Sequence, residues 1–335
     1  KGAFILTLAG IITRVLGFMY RIYMTNSMGS ECVGLYQLIM PIYTLAWSIS
    51  CAGITTTISK LVAQEKAKNQ WGNVKQILKQ CVIITASLGL FLNIILYFGA
   101  EKIAKFFFND IRLILPLKVL SFSFLFMSVG SCIRGYFFGL QKSFVPAISQ
   151  ILEQIVHVCI VYFFITKFNG FDNKIEYTCS VAVAGMTFGE LISFIYVYLA
   201  YKNFFRKPKI NQKANQPSLS FFSSINLILS MAIPLTANRV IASLLVAVEN
   251  ILIPQRLLLN KFSRENAISL YGQVTGMAMP LIYFPSVFLI SLAISLVPEV
   301  SQAYAKKNKN KIDYTISKTI LLTSIIGLGA SVFFI

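Results

Sequence analysis

Two arginines sit where a lipid bilayer would exclude them. The first apolar stretch, Phe4 to Met24, reads FILTLAGIITRVLGFMYRIYM and carries Arg14 and Arg21 inside a run apolar enough to cross a membrane. An arginine held in hydrocarbon costs on the order of 3 kcal/mol or more. A water-filled cavity, a counter-charge or an anionic substrate must compensate. The two residues are seven apart, about two helical turns, so they leave nearly one face of a helix. The bland alternative is snorkelling to an interface, for which Arg21, near the outer end, is the better placed.

Carboxylates inside apolar runs are fewer: Glu153, Glu190 and Glu249, the last followed by Asn250. An intramembrane carboxylate can bind Na⁺ or a proton and couple transport to an ion gradient, or serve as counter-ion to an arginine. Glu153 and His157 are four residues apart and share a helix face, as a proton relay or as an interhelical polar contact. Arg134 and Gln141 fall near the inner end of an apolar run, where a headgroup contact is expected.

The elements that must position these groups follow from composition. Of 335 residues, 56% are hydrophobic and 13% charged, and mean hydropathy is +0.71. A soluble domain carries about a quarter charged residues, so an all-α polytopic membrane protein is expected. The net charge of +18, from 30 basic and 12 acidic residues, fits lysines in loops and at lipid headgroups rather than nucleic acid binding. The six cysteines form no CxxC pair and, with the single histidine, exclude a disulfide framework and a metal centre. No nucleophile–base–acid pattern and no GxxxxGK[ST] loop is present, so neither enzymatic chemistry nor direct use of ATP is expected. The chain opens on Lys1, closes on Phe333-Phe334-Ile335 at an apolar run, and shows no signal-peptide cleavage pattern, which suggests truncation at both ends.

Nine spans are expected, near 4–24, 35–58, 80–99, 114–139, 146–166, 179–200, 223–248, 270–298 and 316–335. Pro41, Pro234, Pro280 and Pro285 fall inside spans and are expected to bend them. Lysine and arginine crowd the loops after the second, sixth and eighth spans, which places the N-terminus in the cytoplasm. The polar segment 201–222 divides six spans from three. Landmarks on its two sides repeat in order. Thr13-Arg14-Val15 is echoed by Asn238-Arg239-Val240, Leu35-Tyr36 by Leu270-Tyr271, and TASLGL (85–90) by TSIIGL (323–328). The basic ends ISKLVAQEKAKN and ISLVPEVSQAYAKKNKN correspond as well. Both copies keep one orientation, as in transporters that rock two halves about a central site. The repeat makes Arg239 the counterpart of Arg14.

The stretches GAFILTLAGIITRVLGFMYRIYM, GLYQLIMPIY, GITTTISKLVAQE, YGQVTGMAMPL and SLVPEVSQA resemble the stage V sporulation protein B-like polysaccharide transporters. These belong to the multidrug/oligosaccharidyl-lipid/polysaccharide (MOP) flippase superfamily and are related to lipid II flippases. The resemblance implies a MATE-like bundle of fourteen helices in two lobes. This chain would hold about nine: the first lobe at 1–200, the linker at 201–222 and half of the second lobe at 223–335. It also implies flipping of a lipid-linked saccharide of the polyprenyl diphosphate type across the plasma membrane, for cell-wall or spore cortex synthesis. Arg14 matches a cavity arginine of the lipid II flippases, and Arg21 lies one position off the next one. A further arginine of that branch, early in the eighth span, has no match here, where Tyr271-Gly272-Gln273-Val274 stands. Arg239 is a substitute source of positive charge, and Gln273 a polar cavity group. Guanidinium forks suit a diphosphate because they pair two phosphate oxygens at once and stay charged. The alternatives are a cation-coupled multidrug exporter of the sibling branch and a non-transporting scaffold in spore envelope assembly.

Overall fold

Apolar runs of this length can satisfy their backbone amides in a bilayer only within the segment itself, so they must be helical. The computed structural model describes residues 2–167, 175–205, 220–259, 263–283 and 309–334. Among them there are helices and turns and no strand. Helix α1 (Gly2–Trp47) passes through a π-helical turn (Ser48–Ala52) into α2 (Gly53–Ala67). There follow α3 (Trp71–Phe106), α4 (Ile114–Ser121), α5 (Ser123–Gly139), α6 (Phe144–Lys167) and α7 (Ile175–Phe205). After the linker come α8 (Phe221–Leu259) and α9 (Arg264–Tyr271), then a π-helical turn (Gly272–Ala278), α10 (Met279–Tyr283) and α11 (Lys309–Phe334).

Seven stretches among the described residues are long and apolar enough to cross a membrane. The first, Leu8–Ala67, holds two of the expected spans. Gly29, at φ 79° and ψ 165°, separates them with a backbone that only glycine adopts without strain. Expected span 114–139 breaks at Phe122 between α4 and α5. There the Asn93 amide donates to the Ser121 carbonyl at 2.8 Å, satisfying a group the break would leave open. Pro41 and Pro234 are carried inside continuous helix, together with Pro254. The departures from α geometry lie instead at Gly29 and at the two π turns. Most of expected span 270–298, with Pro285 and the SLVPEVSQA motif, lies outside the described residues, as does most of the linker 201–222.

Residues Lys1–Gln273 form one compact unit and Val274–Ile335 a second. Within the first, two apolar cores form. One gathers Leu35, Leu38 and Ile39 with Leu117, Phe124, Met127 and Val183. The other gathers Ile54, Ile58 and Val62 with Ile77, Tyr136, Phe137 and Val197. Large apolar side chains such as Phe98, Phe106 and Phe163 remain exposed on the outside of the bundle. In water such a surface would aggregate; in a bilayer it faces lipid. The protein is a multi-pass membrane protein.

Candidate functional site

The polar side chains of the first unit are brought together by small residues. On α7, Gly185 and Gly189 lie one turn apart in the sequence GMTFG. A Cβ on Gly189 would come within 2.7 Å of the Glu153 carbonyl oxygen, and one on Gly185 within 3.0 Å of that of His157. This is the close backbone approach that small-xxx-small spacing permits in membranes. It sets Glu190 of α7 beside Glu153 of α6. Gly135 does the same for α5, where a Cβ would meet Thr55 O of α2 at 2.7 Å.

At the meeting point lies Arg134, a buried guanidinium at 8% exposure. Its Nη1 donates to Ser193 Oγ at 3.0 Å and stands 3.5 Å from Glu153 Oε2. Its Nη2 donates to Ser131 Oγ at 2.8 Å and stands 3.9 Å from Glu190 Oε2. Tyr43, on α1, donates its hydroxyl to Glu190 Oε1 at 2.6 Å. Glu190 is 2% exposed, and its Oε2 accepts no hydrogen bond from a described residue. With both carboxylates ionised the cluster carries one net negative charge. It lies at the junction of the two cores: on α7, Glu190 falls between Met186 of the first and Phe194 of the second.

The expectation for Arg134 is therefore corrected. It is a buried counter-ion to two carboxylates, not a headgroup contact, because α5 turns it toward α6 and α7 rather than outward. Two signals pointed to this: Ser131 and Arg134 at i,i+3, and the GMTFG step preceding Glu190. His157 packs on the Tyr20 ring at 4.5 Å between centroids and bonds to the Ala182 backbone. It joins α1 to α6 and α7. Cys32, Cys51, Cys81, Cys132 and Cys179 are buried, whereas Cys159 is exposed.

The remaining candidates stand apart from this cluster. Arg14 and Arg21 are exposed on α1 before the Gly29 kink, with Arg21 in electrostatic reach of Tyr36. Arg239 and Glu249 are exposed on α8. None of these four forms an ion pair with a described residue. Asn250 accepts from the Tyr271 hydroxyl and donates to Val246 O at 2.7 Å, which ties α8 to α9. Gln273 is exposed and reaches Ser269 Oγ at 3.4 Å. Among the described residues no group of histidine, cysteine and acidic side chains is arranged to hold a metal.

The first unit is thus a membrane-spanning helical bundle with basic and acidic groups inside its spans. The chain superposes on a solved inward-facing multidrug resistance MATE family transporter of the MOP superfamily. The TM-score is 0.74 at 14% identity, over 99% of this chain and 73% of that one, which defines the fold as MOP-like. Residues 1–304 match the model of the polysaccharide biosynthesis protein family, and the chain belongs to that family. It is 32% identical over 332 residues, 99% of its length, to stage V sporulation protein B of Bacillus subtilis (strain 168). It is 28% identical over 209 residues to the lipid II flippase MurJ of the same organism, covering 58% of this chain and 38% of that one. The chain spans 63% of the length of the sporulation protein.

Proposed function

We propose that the protein is a transporter that flips a lipid-linked saccharide of the polyprenyl diphosphate type from the inner to the outer leaflet of the plasma membrane, in cell-wall or spore cortex synthesis. One observation carries the reading: three arginines within the spans have no carboxylate partner among the described residues. Glu153 and Glu190 are taken by Arg134. Arg14, Arg21 and Arg239 are exposed and form no ion pair with a described residue. Guanidiniums in apolar helices without a protein counter-charge call for an anion from outside, and a diphosphate fits their fork. Family membership and the similarity to a lipid II flippase support this substrate class.

In this reading the N-terminus is cytoplasmic, with the lysine-rich loops inside. Arg14 belongs to the first lobe and Arg239 to the second. The lobes rock between inward- and outward-open states while the arginines hold the diphosphate and the polyprenyl tail stays in lipid. Substrate shifts that equilibrium only through its different affinity for the two states. The Arg134–Glu153–Glu190 cluster, with its one net negative charge, takes up the coupling ion, Na⁺ or a proton. Reconstitution of the protein with fluorescent lipid-linked precursors of differing head groups tests the proposal. Diphosphate-linked saccharides should be flipped, and Arg14→Ala and Arg239→Ala should abolish flipping at normal protein levels. Full activity of both variants would overturn the arginine mechanism.

A further inference from the structure

The lysine-rich connection between α2 and α3 lies at one end of α3. At the other end, a second set of charges gathers in the turn that follows. Asp110 there is 3% exposed. Its carboxylate accepts from the Arg112 backbone at 3.0 Å, from Arg112 Nε at 3.0 Å and from Arg112 Nη2 at 2.8 Å. Arg112 Nη1 reaches Glu31 of α1 at 2.6 Å. On its other side Asp110 faces Arg264, the first residue of α9, whose Nε stands 3.3 Å from Oδ2. Arg264 Nη2 also donates to Phe108 O at 3.0 Å. The order Glu31, Arg112, Asp110, Arg264 alternates in sign and joins the first lobe to the start of α9.

The backbones meet beside this chain of charges. Ser30 and Ser269 share a hydrogen bond of 2.6 Å. A Cβ on Gly34 would lie 2.2 Å from Ile268 O, and one on Gly272 2.4 Å from Ser30 O. At the opposite end Gln76 donates to Ser224 Oγ at 3.2 Å and Gln80 to Phe221 O at 3.0 Å, which holds α8 to α3.

We propose that Asp110 and Arg264 form the latch of a gate, and that opening lifts α9 away from Ser30 and Gly34 while Arg112 stays with Asp110. This rests on the transporter reading, in which one end of the bundle must open to release cargo; by the proposed orientation this is the outer end. The latch is built to part. Asp110 keeps three bonds from Arg112 after Arg264 leaves, so separation strands no buried carboxylate. Arg264, with its side chain 35% exposed, is already half in reach of water and is the departing partner.

The test is oxidative cross-linking of Ser30→Cys with Ser269→Cys in the intact protein, in a background lacking Cys32. In membranes without added substrate the pair should cross-link readily. Arg264→Gln should slow the cross-linking by up to about fivefold, the shift expected on losing an ion pair whose departing partner is half-exposed. Arg264→Lys should keep the original rate. Raised salt should slow cross-linking with Arg264 intact, a readout that needs no substitution in the latch. Cross-linked protein should not transport, and reductant should restore transport. A rate indifferent to both Arg264→Gln and salt, or full transport by cross-linked protein, would overturn the latch. Latch-dependent cross-linking in a protein that flips none of the precursors would overturn the transporter reading and leave the latch standing.

Discussion

Arg134 and Glu190, on helices α5 and α7, face each other at 3.9 Å inside the bundle, and Tyr43 reaches the same carboxylate from α1. A fourth helix, α6, contributes Glu153. One guanidinium therefore faces two acids.

Arg134→Ala would leave the buried Glu190 and the half-buried Glu153 without a cation. We expect a loss of about 3–5 kcal/mol, the usual cost of removing one partner from a buried pair. Thermal unfolding of the purified protein in detergent measures it. Arg134→Lys should recover part of the loss, since it keeps the charge and gives up the fork to Ser131 and Ser193. Wild-type unfolding of Arg134→Ala would contradict the assignment.

Tyr43→Phe deletes a hydrogen bond to a buried carboxylate, and should cost roughly 1.5–3 kcal/mol. The same substitution made in a Glu190→Gln background should cost less, because the acceptor is then neutral. Equal costs in the two backgrounds, measured as a double-mutant cycle, would show that the two residues are not coupled.

Gly189→Ala places a Cβ 2.7 Å from the Glu153 carbonyl oxygen and forces α6 from α7. A loss of about 1–3 kcal/mol is expected, as for overpacking elsewhere. Gly10→Ala is the control: nothing lies within 4 Å of its Cβ, so stability should be unchanged or slightly raised. Melting temperatures of the two variants should separate in that order.

Arg14→Ala and Arg239→Ala should leave unfolding within about 0.5 kcal/mol of wild type, because neither residue pairs with a described carboxylate. Their effect belongs in the flipping assay. A large loss of stability from either one would mean that it serves the fold rather than the cargo.

The amino-acid sequence alone determined the helical class, the positions of the spans that fall within the described residues, the conflict posed by Arg14 and Arg21, and the family. Each of these rests on local information: apolar windows of bilayer length, a charge within them, and motifs of a few residues. Helical period also placed Glu153 with His157 on one face of α6. Which face meets which helix was not legible, because packing partners are set by side-chain shape across long stretches of chain. Tyr43 and Glu190 are 147 residues apart, and Ser30 and Ser269 are 239 apart. Only the tertiary structure turned Arg134 from the expected headgroup contact into a buried counter-ion. It alone brought Asp110 to Arg264. Close glycine approaches decided both arrangements: Gly189 against Glu153 in one, Gly34 against Ile268 in the other.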